Sequence, residues 1–517
     1  MLLYNTELYK GHVSKKLLLN SLSGTVLYVI NVVVAFIMSP ILIRALGNRD
    51  YGLWELVMSV IGYMGLLDLG IGGSLVRFVS IADGRQDKDD LQQTISTAFV
   101  FFALVGAVAM ITFFALGYSP EMIAGSASKD IEKISVVFFL LGVDAGMLFP
   151  LQVFTTTLMG MQRHYFINNI RVVLLIARAS LAYYLLMLYQ GYGLIVLALL
   201  EPVFTAIQFL LFSGALYIDR NIPRISLSAV TISKAKELIT FGSKNATMLI
   251  ASRLQNQSVP LIIGNVIGLG QIVYFVMPNR LIEYAKGVSQ AIGFPLTPYF
   301  GAAIGRGDHD NVLKSWLNST LALQVASLAM PIIIFFCGET FLGLWIGQEY
   351  AVAGRVLLYI LLVGLVADSL ATNAFRILTA QGRHGKCALI WFVLSAFSIP
   401  LGIWGANKWG VVGVAAATTA VTLIANLITV WMACMVMQIS LLKYFCSTLF
   451  RLVLPLLLLA IMMLWLSSMY PIKNYFGMLL HILLACCIYI PAVWLFTLEM
   501  DTRNKFKGRL KLLFSAQ

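Results

Sequence analysis

Apolar runs of about twenty residues recur from one end of this chain to the other, each long enough to cross a bilayer. Fourteen are present, centred near residues 30, 67, 104, 146, 178, 205, 250, 286, 325, 366, 396, 424, 460 and 487. Of the 517 residues, 60% are hydrophobic and 11% charged, against roughly 25% charged in a soluble domain. The pattern predicts an all-α polytopic membrane protein of about fourteen transmembrane helices. The spacers are short, so no sizeable extramembrane domain exists. The first run is long and lacks a small-residue cleavage site, which makes it helix 1 rather than a signal peptide.

The net charge of +13 could suggest a nucleic-acid partner, but its distribution argues for topology instead. Roughly 22 of the Lys and Arg residues fall on loops of one side, among them Arg85, Arg163, Arg220, Lys234, Arg306, Arg383, Lys443 and the tail "RNKFKGRLK". Only about seven, including Arg44, Arg49, Lys129 and Lys473, fall on the other. The positive-inside rule puts the rich side and both termini in the cytoplasm. The six cysteines form no CxxC pair and have no His cluster beside them. They read as small embedded hydrophobes rather than disulfide or metal frameworks.

Sliding the sequence against itself by 221 positions exposes a repeat. "ALGNRDYGLW" (45–54) meets "VIGLGQIVYF" (266–275), aligning Gly47 with Gly268, and "GRQDKDDL" (84–91) meets "GRGDHDNV" (305–312). With small register changes, "QRH" (162–164) meets "GRH" (382–384) and "YGLIV" (192–196) meets "WGVVG" (409–413). Six helices per copy is an even number, so the copies are parallel, related by a pseudo-twofold along the membrane normal. Transporters often place the substrate path between such bundles. The expected division is a first bundle over 1–218, a cytoplasmic elbow lying on the membrane surface over 219–236, a second bundle over 237–438, and two extra helices with the basic tail over 439–517.

Charges at helix centres cost about 2.5–3.5 kcal/mol each on insertion scales and mark functional interiors. Helix 8 carries Arg280, Glu283 and Lys286 on one broad face; the repeat equivalents in helix 2 are Ser59, Gly62 and Gly65. Arg280 lies roughly 14 Å into its helix at 1.5 Å per residue. Asn245, Ser252 and Asn256 share a stripe of helix 7 beside Arg253, and Asn31 is the helix 1 counterpart of Ser252. These helices predict the walls of a wet cavity; the alternative is helix–helix packing at small residues, which accounts for the glycines but not for Arg280 or Lys286. Helix 5 adds Arg178 at depth and Arg171 nearer its end. The deep carboxylates are Asp68, Asp144, Glu201, Glu283 and Asp368, each a candidate for structural ion pairing or for coupling to H⁺ or Na⁺. No other cofactor or metal is expected.

The doubled polar string falls in the cytoplasm in both copies. Its plain explanation is a topology signal plus a helix cap from Asp89 or Asp310. The alternative is a gate, in which Arg85 meets Asp308 or Asp310 and Arg306 meets Asp87 or Asp89. Motifs of hydrolases, nucleotide-binding loops and zinc proteases are missing, so the chain is not expected to be an enzyme.

The segment "SPILIRALGNRDYGLWELVMSVIGYMGLLDLGIGGSLVRFVS" (39–80) resembles the N-terminal signature of the polysaccharide transport family. These are O-antigen-type flippases of the multidrug/oligosaccharidyl-lipid/polysaccharide exporter superfamily, and the six-plus-six-plus-two organisation extends the resemblance over the chain. The resemblance implies a bacterial inner-membrane protein with a V-shaped pair of bundles and a cationic lumen. It implies export of an undecaprenyl-pyrophosphate-linked O-antigen, capsule or exopolysaccharide unit by alternating access. Arg280, Lys286, Arg253 and Arg178 then become candidates to hold the pyrophosphate. Expected partners are the lipid-linked oligosaccharide, membrane lipids, and polysaccharide polymerase and chain-length proteins, around a monomer. A lipid II-type flippase and an ion-coupled multidrug exporter of the same superfamily are the alternatives.

Reporter fusions after Gly84, Arg306 and Lys511 are expected to give a cytoplasmic signal at all three positions. A periplasmic signal at 306 would break the parallel-repeat topology.

Overall fold

The computed structural model describes residues 2–121, 131–220, 222–293, 295–307 and 309–497, with side chains from residue 19 onward except 21, 244, 245, 309 and 310. Lys129, Asp308, the basic tail and the side chains of Asn245 and Asp310 therefore lie outside the described residues.

Among the described residues there is no strand; thirteen of the fourteen run centres fall in α-helix, and the one near 67 falls in a 3₁₀ turn, Gly65–Asp68, that breaks the expected second helix. The first seven helices are α1 (Leu2–Met64), α2 (Ile71–Arg85), α3 (Lys88–Tyr118), α4 (Ile131–Gly160), α5 (His164–Leu188), α6 (Gly193–Ile218) and α7 (Ile232–Val266). They are followed by α8 (Ile272–Gly293), α9 (Leu296–Gly305), α10 (His309–Trp345), α11 (Gln348–Ala380), α12 (His384–Val436), α13 (Leu441–Ser447), α14 (Leu449–Met469) and α15 (Tyr475–Ala492). Ten helical segments among these residues are long and apolar enough to cross a membrane. Two of them are broken in the middle, α1 at Gly47 (φ 74°) and α12 at Trp409 and Gly410 (φ 60°).

The sequence repeat is visible in where the backbone turns left-handed. Gly47 and its partner Gly268 (φ 133°) both have positive φ, as do Gln86 (φ 56°) and Gly307 (φ 74°), and Gln162 (φ 58°) and Gly382 (φ 66°). At the third pair even the hydrogen bonds repeat. Gln162 N–H donates to Met159 O and Arg163 N–H to Leu158 O, both at 2.9 Å; Gly382 donates to Thr379 O at 3.0 Å and Arg383 to Leu378 O at 2.9 Å. This is the left-handed C-cap, which satisfies carbonyls that a helix end would otherwise orphan.

The described chain forms two compact units, Met1–Val273 and Tyr274–Gln517. In the first, α4 packs between α3 and α6, while α1 packs on α5 and α7. The units do not coincide with the sequence copies, because α7 belongs to the first. The cause is close packing at small residues. A Cβ on Gly62 would fall 2.4 Å from the Gln257 side chain, and one on Gly70 2.4 Å from Gly242 O. Ser59 donates to Gln257 O, and the Tyr63 and Ser258 hydroxyls hydrogen-bond. The small face of helix 2, expected to line a cavity, is here a helix-packing face.

The elbow has protein partners of its own. It runs along α3: Gln92 donates to Arg224 O at 2.9 Å, and Ser226 N–H and Thr231 N–H donate to the Ser96 and Thr97 hydroxyls at 3.1 and 3.3 Å. An extended strip has no internal ladder, so these α3 side chains complete its hydrogen bonding.

In the second unit α11 packs between α10 and α12, and α14 and α15 close over α10. Trp316 stacks on Tyr444 with ring centroids 5.3 Å apart, both fully buried. None of the six cysteines is in a disulfide, and Cys337, Cys387 and Cys434 are buried. Within α12, Gly405 and Gly413 bring the two arms of the broken helix together: a Cβ on Gly413 would lie 2.0 Å from Gly405 O.

Gly413→Ala is therefore expected to cost about 1–3 kcal/mol through overpacking. Gly385→Ala, whose Cβ meets nothing within 4 Å, is expected to stay within about 0.5 kcal/mol of wild type. Thermal unfolding of the purified variants in detergent checks the contrast, and equal midpoints would remove the packing role of Gly413.

Candidate functional site

The deep charges collect into two three-charge clusters, one in each unit. In the first unit, Arg178 of α5 forms an ion pair with Glu201 of α6. Asp144 of α4 is buried close by; Thr205 hydrogen-bonds to it and Arg178 acts on it electrostatically. Pro202 follows Glu201 inside α6, removing one backbone donor. Positions 201 and 205, one turn apart on one face, aim Glu201 at Arg178 and Thr205 at Asp144.

In the second unit, Lys286 of α8 sits between two carboxylates, Glu283 at 3.0 Å and Asp368 of α11 at 2.9 Å. Asn426 of α12 donates to the other oxygen of Asp368 at 2.6 Å. Three helices are thereby tied at one point. One turn and two turns further along α11, Thr372 and Arg376 continue the same face. The Arg376 guanidinium donates to Gln290 O and Thr372 O, both at 3.4 Å. It lies against α8 where there is no side chain, since a Cβ on Gly293 would be 2.3 Å from its Cζ. Arg376 has no carboxylate partner among the described residues. Arg280 is half-buried on α8, six residues before Lys286.

Asp68 stands apart from both clusters. It accepts from Gly72 N–H at 2.9 Å and Gln152 Nε2 at 3.4 Å, so it caps α2 across the short 3₁₀ break at Gly65–Asp68. Arg253 of α7 acts on it electrostatically and lies against Gly65. Ser252 and Asn256 are exposed on one face of α7 and hydrogen-bond at 3.4 Å, and Asn31 is exposed on α1. Arg171 is half-buried on α5.

These positions change the electrostatic picture of a simply cationic interior. Arg178 and Lys286 each face two carboxylates and Arg253 faces Asp68, so these three candidate anion-binding cations stand beside negative charge. Arg376, Asn426, Thr205 and Gln152 were not singled out from the sequence. Arg376 carried a usable signal, an Arg inside an apolar helix eight residues after Asp368. The three neutral residues carried none, because one amide or hydroxyl in an apolar helix is commonplace.

The first copy of the doubled string has local partners. Asp87, rather than Asp89, caps α3 by accepting from Asp90 N–H at 2.9 Å. Asp90 pairs with Lys234 of α7 at 2.6 Å, and Lys234 also reaches Glu237 at 2.8 Å. Burial pulls the Lys234 ammonium down, but the Asp90 and Glu237 carboxylates outweigh it and hold it above the ordinary lysine range. Asp87 also borders a polar pocket of about 260 Å³ that contains the Arg163–Asp219 ion pair. Arg85, Asp89 and Arg306 are exposed.

Residues 17–304 match the family described as polysaccharide biosynthesis protein. The chain belongs to that family. Several proteins resemble it at a distance. A Shigella flexneri protein provisionally named an O-antigen transporter is 22% identical over 406 residues, covering 78% of this chain and 94% of its own. The membrane protein EpsK of Bacillus subtilis, uncharacterised, is 21% identical over 438 residues, covering 80% and 82%. Among solved structures, an inward-closed lipid II flippase MurJ superposes with a TM-score of 0.69 at 14% identity, covering 92% of this chain and 98% of that one. An inward-facing multidrug resistance MATE transporter of the MOP superfamily gives 0.67 at 15%, covering 80% and 94%. This polysaccharide biosynthesis family member therefore shares the all-helical fold of these two proteins.

Lys286→Met leaves Glu283 and Asp368 without their cation and is expected to lower the unfolding temperature. Adding Asp368→Asn is expected to restore part of the loss, with a coupling energy of about 0.5–3 kcal/mol between the two positions. Strictly additive losses in thermal unfolding would show that the cluster does not act as a unit.

Proposed function

We propose that this protein is a flippase that carries a lipid-linked oligosaccharide, built on undecaprenyl pyrophosphate, from the cytoplasmic to the periplasmic leaflet of a bacterial inner membrane by alternating access. Membership of the polysaccharide biosynthesis family over residues 17–304 carries the proposal. The O-antigen name of the Shigella relative supports the substrate class. The chain crosses the membrane fourteen times with both termini in the cytoplasm, following the distribution of Lys and Arg.

The two charge clusters and the cations outside them take different roles. Arg376, held by carbonyl oxygens and not neutralised by a carboxylate among the described residues, sits one turn from the cytoplasmic end of α11. With Arg280 deeper in α8, it supplies the planar donor fork suited to a pyrophosphate. Arg178 and Lys286 act as coupling elements. With Asp144 and Glu201 ionised, or Glu283 and Asp368 ionised, each cluster holds one more negative than positive charge. A proton or sodium ion entering either cluster balances that excess and loosens the hold on the cation. The same excess of carboxylates favours a second reading, an ion-coupled exporter of organic cations.

In a strain lacking its own flippase, the wild-type chain is expected to restore surface polysaccharide. Arg280→Ala and Arg376→Ala are each expected to cut export by about 10–100-fold at unchanged membrane levels, the loss of one charge-assisted hydrogen-bonding group. The Lys variants should fall between, because the fork is lost and the charge kept. Wild-type export by both Ala variants would remove the cation assignment. Resistance to cationic drugs without polysaccharide export would select the second reading.

A further inference from the structure

The outward stripe of α6 runs through Val203, Ile207, Leu210, Gly214 and Tyr217. At about 100° per residue it lies opposite Glu201. It carries no charge, and Leu210 and Tyr217 are 70% and 65% exposed. On a membrane-spanning helix such a stripe faces acyl chains, which are as apolar as leucine. Near its end Leu210, Gly214 and Tyr217 border a groove of about 590 Å³, closed on the other side by Ile95, Phe154 and the elbow. Pockets that bury a small ligand run from about 300 to 1,000 Å³.

Two features go beyond an incidental gap. A Cβ on Gly214 would meet no atom within 4 Å. Glycine weakens a helix interior, and no packing contact explains it here; its effect is to keep the groove deep. At the mouth stands Arg224, exposed, with its guanidinium carbon 4.6 Å from the ring centroid of Tyr217. Stacking fixes the planar head and leaves its N–H groups outward. Among the described residues Arg224 has no carboxylate partner, and its own carbonyl is fixed by the Gln92 amide at 2.9 Å. The site thus pairs an apolar trough on the lipid face with an unneutralised cation and a tyrosine at the membrane edge, where aromatic rings and basic groups meet headgroups.

We propose that this groove binds one anionic glycerophospholipid, an acyl chain lying along Leu210 and Gly214 and the phosphate on Arg224. The lipid would join α3, α6 and the elbow into one packed corner of the first unit. The site is on the opposite face of α6 from the Arg178–Glu201 pair. It requires only that the chain sits in a membrane, so its failure would leave the flippase proposal untouched.

The test uses the full-length protein purified in mild detergent, with phosphatidylglycerol added and binding followed by native mass spectrometry and by thermal shift. Wild type is expected to take up one phosphatidylglycerol in preference to phosphatidylethanolamine and to gain thermal stability from it. Arg224→Gln should raise the apparent Kd for phosphatidylglycerol about fivefold, the worth of one basic group at a membrane surface. Gly214→Leu fills the groove; it should unfold no earlier than wild type in detergent alone and gain nothing from added lipid. Equal phosphatidylglycerol binding by wild type and both variants overturns the proposal. So does equal binding of phosphatidylethanolamine, and so does displacement of phosphatidylglycerol by undecaprenyl phosphate. If Gly214→Leu does not fold, Arg224→Gln decides.

Discussion

An unpaired peptide group in hydrocarbon costs several kcal/mol, so a chain in lipid can stop being helical only where other partners receive its backbone. That requirement spaces the turns of this protein. Most of its breaks among the described residues are built around a single residue with positive φ. Gln162 and Gly382 show the device most fully, since two hydrogen bonds of the same pattern close the helix end in each copy. Where a turn cannot be so short, side chains take over: Ser96, Thr97 and Gln92 of α3 serve the extended elbow.

The same low dielectric governs the charges. A lone Lys or Arg in the middle of a span is expensive, and Arg178 and Lys286 are each placed against two carboxylates. Arg178 is reached from α4 and α6, and Lys286 from α11 and from its own helix. Each cluster joins three helices through charge and hydrogen bonding rather than apolar packing alone. An odd number of charges means that neither is neutral when its carboxylates are ionised, which is what a site responsive to an incoming cation requires.

Repeated sequence has not produced repeated chemistry. The turns are kept at equal register in both copies because the bilayer imposes the same thickness on each. The charges are not: Glu283 and Lys286 stand where the first copy has Gly62 and Gly65. Those glycines instead admit Gln257 and Arg253 of α7, and this explains why α7 packs with the first unit although its sequence belongs to the second copy. A substitution that is charged in one copy and small in the other reads from sequence as an open wall. Only the neighbour that fills the space distinguishes a wall from a packed seam.

Membrane residence, helical class and the turns that recur at equal register, such as those at Gly47, Gln86 and Gln162, were legible in the sequence, whereas the break at Gly65–Asp68 was not. They follow from local properties: apolar length against bilayer thickness, and polar or glycine residues at regular intervals. The deep carboxylates and cations were legible too, because a charge inside an apolar run stands out whatever it touches. Their pairing was not. Whether Lys286 meets Asp368, Asp87 or Asp89 caps α3, or Arg376 rests on Gly293 depends on side chains tens or more residues away, or on one turn of backbone geometry. Apolar length against bilayer thickness was enough to give the helical membrane class and the charges embedded in it. The tertiary structure decided which charges neutralise one another, since Coulomb and hydrogen-bond energies depend on distances that no one-dimensional spacing contains.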